Sequence, residues 1–190
     1  MRPKKKSTYS KSSIPSNKKT TSFAEKVEEA EKEITIPTDD EMEKYQYTGK
    51  YRISSNFGKR NSPVAGNLKG SSDHKGIDIA CPEGTAVYAP IGGIVEKIDF
   101  QGSSNGKIGA GNYMSIRLDN GKYIVLMHLK DKPSLQPGQR VEKGQQIAVT
   151  GKTGGDNMGA HLHVGYSTTG YSSSSRNWIK APNYILNELF

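Results

Sequence analysis

The sequence predicts a mainly β protein, in which one antiparallel β-sheet domain over residues 50–190 follows a basic arm and a short helix. Three observations carry this. Glycine fills 21 of 190 positions while hydrophobic residues make up only 33%; this mix is too rich in turns for a helical bundle and suits short strands. From about Tyr47 the apolar residues come in short alternations broken by Gly, Pro and Asn. Asn120-Gly121 separates two such alternating runs, a strong two-residue hairpin signal.

Charge divides the chain into three parts. Residues 1–20 carry +7 with no acidic residue, residues 21–49 carry −6, and residues 50–190 carry +7. The first part is Lys, Ser and Thr, cannot bury a core, and is expected to be disordered alone. In the second, Ser22 and Glu25 make a capping box, and Phe23, Val27, Ala30 and Ile34 fall on one helical face before Pro37 and Asp39-Asp40 end it. A helix of about a dozen residues is marginal in water, so it either docks or frays. No run approaches the roughly 18 apolar residues of a membrane span, and no membrane partner is expected. Met1 to Lys6 leads into Ser, Thr and more Lys, which is not the pattern of a secretory signal. The single Cys81 rules out an intrachain disulfide and a Cys-rich zinc site; a small buried thiol is expected.

Within the domain, Met114, Ile116 and Leu118 alternate with Ser115, Arg117 and Asp119, which predicts a half-buried strand. Asn120-Gly121 predicts a type I′ turn with positive φ at both residues. Lys122 to Leu129 is the return strand, Gln136-Pro137-Gly138 a turn, Gln146 to Thr150 a strand and His161 to Tyr166 another, with a closing helix over Asn183 to Leu189.

The four histidines are the most informative residues. His74 precedes Asp78 by four positions, His128 lies near the end of the return strand, and His161 and His163 flank Leu162. Alternation on a strand sends His161 and His163 to the same side, where they can converge on one point. Two His and a carboxylate with an open fourth position form a ligand set of catalytic zinc, which makes water nucleophilic near neutral pH and polarises a carbonyl. Such a hydrolase also needs a proton acceptor and a donor to the developing oxyanion, roles open to the remaining His. Surface or core histidines fit the same spacing.

The surrounding residues resemble a family. Gly154-Gly155-Asp156-Asn157-Met158-Gly159-Ala160-His161-Leu162-His163 is similar to the Gly-rich approach and H-L-H strand of the lysostaphin-like (LytM-type) zinc endopeptidases of peptidoglycan. His74-Lys75-Gly76-Ile77-Asp78-Ile79-Ala80 matches their H-x-G-I-D-I-A motif, and Ser55 to Arg60 their S-x-F-G-x-R motif. Gly84 to Val95, Met127-His128-Leu129 and Val141 to Ile147 follow in the right order, so the resemblance runs from about Arg52 to Tyr166. It implies a β domain of the lysostaphin-like (duplicated hybrid motif) fold with one zinc per chain in a long groove. His74, Asp78 and His163 are then the ligands, His161 the general base, and His128 the partner that orients water or stabilises the tetrahedral intermediate. The family includes members that lost ligands and do not cut, but every matching position is kept here.

The expected activity is hydrolysis of peptide cross-links or stem peptides in bacterial peptidoglycan. The alternatives are a module that grips peptidoglycan without cutting it, or a nucleic-acid-binding protein acting through the basic arm. The second leaves the five-residue constellation unexplained, and the domain lacks interleaved aromatic and basic residues, so no nucleic-acid partner is expected. Lys75 could hold an anionic stem peptide, and Gln101 to Gly111 together with Gly154-Gly155 could wall the groove. An enzyme acting at the cell wall without a signal needs a carrier. Residues 1–49 could anchor it to phage tail proteins in the virion; the other route is release at lysis.

Overall fold

The computed structural model describes residues 46–60, 73–102, 109–154, 159–170 and 176–190. The basic arm, the Ser22 to Ile34 helix, Gly155 and the middle of the 101–111 loop lie outside the described residues.

The strands are β1 (Ile53–Ser55), β2 (Gly58–Lys59), β3 (Asp73–His74), β4 (Ile77–Ala80), β5 (Ala86–Tyr88), β6 (Gly93–Gln101), β7 (Gly111–Leu118), β8 (Tyr123–Leu129), β9 (Arg140–Val141), β10 (Gln146–Val149), β11 (His161–Ser167) and β12 (Trp178–Ile179). The helix α1 spans Asn183–Asn187. The main sheet runs β1-β4-β11-β8-β7-β6-β9, and β12 pairs with β11 beyond the stretch that β4 covers. Pairs β5–β10 and β2–β3 form small separate sheets, and every pairing is antiparallel. No helix among the described residues is long and apolar enough to cross a membrane.

One face of the main sheet buries Ile77, Ile79, Leu162, Val164, Tyr166, Ile124, Leu126, Met114, Ile116 and Val95 in a single cluster, together with Val87, Ile147, Ile185, Leu186 and Leu189 from the second layer. Ile77 and Ile79 are fully buried, as are Leu162 and Val164. Strand alternation therefore turns Asp78, His161 and His163 to the opposite face. That face carries a smaller cluster of Ala110, Tyr113 and Val125 with Met127 and Trp178.

Three local expectations change. Ser115 is fully buried, because its Oγ donates to Glu96 Oε2 at 2.9 Å; β7 is covered on both faces at that point rather than half-exposed. At the hairpin only Gly121 has positive φ (76°), so the turn is not type I′. Gly121 N–H donates to Leu118 O at 3.0 Å, which closes a three-residue loop ending in one left-handed residue. Asn120 is committed elsewhere: its Nδ2 donates to Tyr166 Oη at 2.8 Å and Tyr184 Oη at 3.0 Å. The helix stops at Asn187 instead of Leu189, whose carbonyl accepts from Tyr88 N–H at 3.0 Å and whose side chain is buried.

The most consequential irregularity lies at the end of β8. Asn112 pairs with Leu129 and Met114 with Leu126, so β8 holds one residue more than β7 across that span, a β-bulge. Met127 belongs to the smaller cluster, so strict alternation would send His128 into the core. The bulge reverses the parity: Leu129 is fully buried, and the His128 ring stands 4.7 Å from that of His161. The cost is visible, since His128 is the one non-glycine residue with positive φ (62°) among the described residues. A left-handed non-glycine residue costs about 1–2 kcal/mol. Burying Leu129, at about 1.5–3 kcal/mol, and the His128 N–H bond to Ala110 O at 2.8 Å offset it. His128→Gly is therefore expected to be more stable than His128→Ala by about 1 kcal/mol in urea unfolding. Equal stabilities would mean that the strain is absent.

Candidate metal centre

His74 ends β3 and Asp78 lies in β4, while His163 sits opposite Asp78 in the β4–β11 ladder. These three form a group that could share a metal ion. Their facing atoms make a small triangle: His74 Nε2 is 3.1 Å from Asp78 Oδ1 and 3.1 Å from His163 Nδ1, and His163 Nδ1 is 2.9 Å from Asp78 Oδ1. Zinc donors about 2.0–2.1 Å from the ion at tetrahedral angles would lie about 3.3–3.4 Å apart, close to these separations.

Protonation shows why the triangle suits a cation. His74 Nδ1 donates to the Asn56 carbonyl at 2.8 Å, so the neutral ring presents a lone pair at Nε2. That lone pair faces a carboxylate oxygen, and two acceptors at this distance require positive charge between them. An extra proton on His163 meets it poorly, because burial pushes the His163 pKa down against the pull of Asp78. Burial also opposes ionisation of Asp78, but the neighbouring His163 and His74 rings outweigh it and hold the carboxyl well below the usual range. Two neutral imidazoles and one carboxylate fit zinc.

The other two histidines stand beside the triangle. His161 Nδ1 donates to Gly159 O at 2.8 Å, which leaves Nε2 buried without a partner among the described residues, 4.0 Å from Asp78 Oδ1. His128 Nδ1 donates to Thr153 O at 2.9 Å. Burial, and then the neighbouring His161, push the His128 pKa down to about 4, so the ring is neutral near pH 7 and its Nε2 accepts. The His128 and His163 rings lie 6.1 Å apart. All five residues singled out in the sequence thus converge.

Ser55, Arg60 and Gly76 also stand around the site and were not given roles from sequence. Arg60 Nη1 donates to Asp78 Oδ2 at 3.0 Å and to Ser55 Oγ, and Ser55 Oγ lies 3.3 Å from His74 Nδ1. The signal was present, since Ser55 and Arg60 open and close the S-x-F-G-x-R motif. Gly76 passes so close that a Cβ there would come 2.5 Å from His163 Nε2 and 2.7 Å from Val164 O, which explains a glycine between two ligand candidates. Lys75 is exposed and its ammonium pairs with Asp73 at 2.6 Å. Cys81 is buried, away from the triangle's donor set. Beside His128 the described ends of the two proposed wall loops meet, Gly109 N–H donating to Gly154 O at 2.7 Å.

Comparison with known proteins agrees with this geometry. The model of peptidase family M23 matches residues 72–175. A metalloprotease of Haemophilus influenzae is 38% identical over 128 residues, covering 67% of this chain and 25% of its own length. The peptidoglycan DD-endopeptidase ShyC of Vibrio cholerae is 35% identical over 126 residues, covering 66% of this chain and 27% of its own. The chain thus spans about a quarter of the length of these curated relatives. The catalytic domain of the antimicrobial peptidase lysostaphin from Staphylococcus simulans superposes with a TM-score of 0.54 at 26% identity, covering 67% of this chain and 88% of that one. With its antiparallel architecture, its clustered His and Asp donors and a family match over more than half its length, the chain belongs to peptidase family M23.

Proposed function

We propose that this domain is a zinc-dependent endopeptidase that hydrolyses peptide cross-links or stem peptides of bacterial peptidoglycan. The observation that carries the reading is the donor triangle of His74, Asp78 and His163 with the unpartnered His161 Nε2 beside it. The substrate class is supported by the peptidoglycan endopeptidase among the relatives.

His74 Nε2, Asp78 Oδ1 and His163 Nδ1 hold the metal in this reading. When bound, zinc supplies Lewis acidity, which makes water nucleophilic near neutral pH and polarises the carbonyl under attack. His161 accepts the water's proton at Nε2, since its Nδ1–H is occupied by Gly159. The imidazolium so formed lies 4.0 Å from Asp78 Oδ1, which stabilises it until the same nitrogen passes the proton to the leaving amine. His128, neutral and held by Thr153, orients the attacking water through Nε2. A grip without cutting would leave His161 and His128 idle, and activity on muropeptides separates the two readings.

The chain is expected to bind one zinc, and His163→Ala to lose it; metal analysis that finds zinc unchanged in His163→Ala overturns the ligand set. His161→Ala and His128→Ala are expected to keep zinc and to cut muropeptide turnover by roughly 10²–10⁴-fold each. Loss of zinc from His161→Ala would mean that the two histidines of β11 have exchanged roles.

The domain acts at the cell wall in this reading, and we infer that residues 1–49 attach it to a carrier, a phage tail being the case proposed. The support is the +7 charge of residues 1–20 and the spacing in the sequence of Phe23, Val27, Ala30 and Ile34, a pattern that would suit docking on a partner. Purified particles should contain the full-length chain and not a form lacking residues 1–45. Normal incorporation of the truncated form would end the anchoring idea and leave the peptidase assignment standing.

A further inference from the structure

Asp78 uses its two carboxylate oxygens differently. Oδ1 closes the donor triangle with His74 Nε2 and His163 Nδ1, at 3.1 and 2.9 Å. Oδ2 turns away and accepts from Arg60 Nη1 at 3.0 Å. Both side chains are largely covered, 18% exposed for Arg60 and 11% for Asp78. Arg60 Nη1 also donates to Ser55 Oγ, which stands 3.3 Å from His74 Nδ1. A single permanently charged group therefore backs two of the three donors, from an irregular segment just after β2.

We propose that Arg60 is a positioning residue of the metal centre: it occupies Asp78 Oδ2, keeps Asp78 a one-oxygen ligand, and sets the rotation of the carboxylate and, through Ser55, of the His74 ring. This rests on the reading of His74, Asp78 and His163 as ligands. Two effects of the guanidinium compete. Its charge repels a dication and draws electron density from the carboxylate, which lowers affinity. It also removes the freedom of a carboxylate that would otherwise rotate or offer both oxygens. Partners that orient metal ligands are typically worth 10–100-fold in affinity, so orientation prevails. Lysine is not equivalent, because both bonds leave one nitrogen, Nη1, whose two hydrogens are fixed in the guanidinium plane, whereas an ammonium rotates freely on a flexible stem.

The test measures zinc affinity by competition with a chromophoric chelator in the wild type, Arg60→Gln, Arg60→Lys, Asp78→Asn and the Arg60→Gln/Asp78→Asn double variant. Thermal unfolding in excess EDTA reports the fold without metal. Arg60→Gln is expected to weaken zinc by about 10–100-fold with little change in metal-free unfolding, and Arg60→Lys to recover part of the loss. In the Asp78→Asn background the same substitution should cost little more, because the residue through which Arg60 acts is already altered. Cobalt substitution adds a geometric readout: a second oxygen on the ion would lower the intensity of the visible bands in Arg60→Gln. Affinity within twofold of wild type, or an undiminished loss in the Asp78→Asn background, overturns the proposal. If Arg60→Gln fails to fold, Arg60→Lys decides, and wild-type affinity with wild-type cobalt bands is then the overturning result. A wild type that binds no zinc refutes the ligand set itself, an outcome distinct from failure of Arg60 alone.

Discussion

The register of β4 against β11 is the constraint on which the rest depends. Asp78 lies across from His163 and Ile79 across from Leu162, with Val164 opposite Ile77. The period of two makes the apolar and polar sets inseparable: the same pairing that buries four large aliphatic side chains on one face places a carboxylate and two imidazoles on the other. A slip of β11 by one residue would turn its histidines into the core and expose Leu162 and Val164. Each fully buried aliphatic side chain is worth about 1.5–3 kcal/mol, so four of them enforce the register at more than the several kcal/mol that a buried charged pair costs. The core therefore holds the polar triangle in place, and the triangle contributes little to holding the core.

Where this alternation cannot deliver a side chain to the site, the backbone departs from it. His128 follows Met127 and by parity belongs inside; the bulge turns it outward and returns Leu129 to the core. Strain of this kind survives only where surrounding bonds over-determine it. Here His128 N–H bonds Ala110 O, its Nδ1 bonds Thr153 O, and Thr153 Oγ1 in turn donates to Leu129 O at 2.6 Å and accepts from Asn112 N–H at 3.0 Å. The strained residue is thus fixed from both neighbouring segments.

Most of the antiparallel β architecture was legible in the sequence from local rules, whereas the set of five polar residues was named through the resemblance of the motifs around them, spacing alone leaving surface or core histidines open. Alternation at Met114, Ile116 and Leu118 locates a strand, and the H-x-H spacing of His161 and His163 forces a common face. What escaped depends on interactions between segments distant in sequence. The hairpin is not type I′ because Asn120 serves Tyr166 and Tyr184, up to 64 residues away. Ser115 is buried with Glu96 meeting its hydroxyl, and Leu189, beyond the end of α1, has its carbonyl accepting from Tyr88 N–H. The bulge at His128 shows only in the pairing with β7, since the run Tyr123 to Leu129 has nothing in its own composition to mark it. Arg60 was visible as part of a motif, but its partner Asp78 is 18 residues on, so only the fold assigns it work.

Three of the histidines share one further device. His74, His128 and His161 each donate Nδ1–H to a main-chain carbonyl, of Asn56, Thr153 and Gly159. A carbonyl can only accept, so each bond fixes the tautomer and leaves Nε2 as a lone pair aimed inward. Carbonyls free for this task are scarce in a sheet, where the ladder consumes them. All three lie outside the named strands: Asn56 between β1 and β2, Thr153 beyond β10, Gly159 just before β11. This accounts for the irregular segments around a centre whose own residues sit on strands. It also separates the roles of chemically identical rings. His74 spends its lone pair within the donor triangle, whereas that of His161 remains unpartnered beside it. In the proposed reading, position relative to Asp78 suits one imidazole to hold a metal and the other to take a proton.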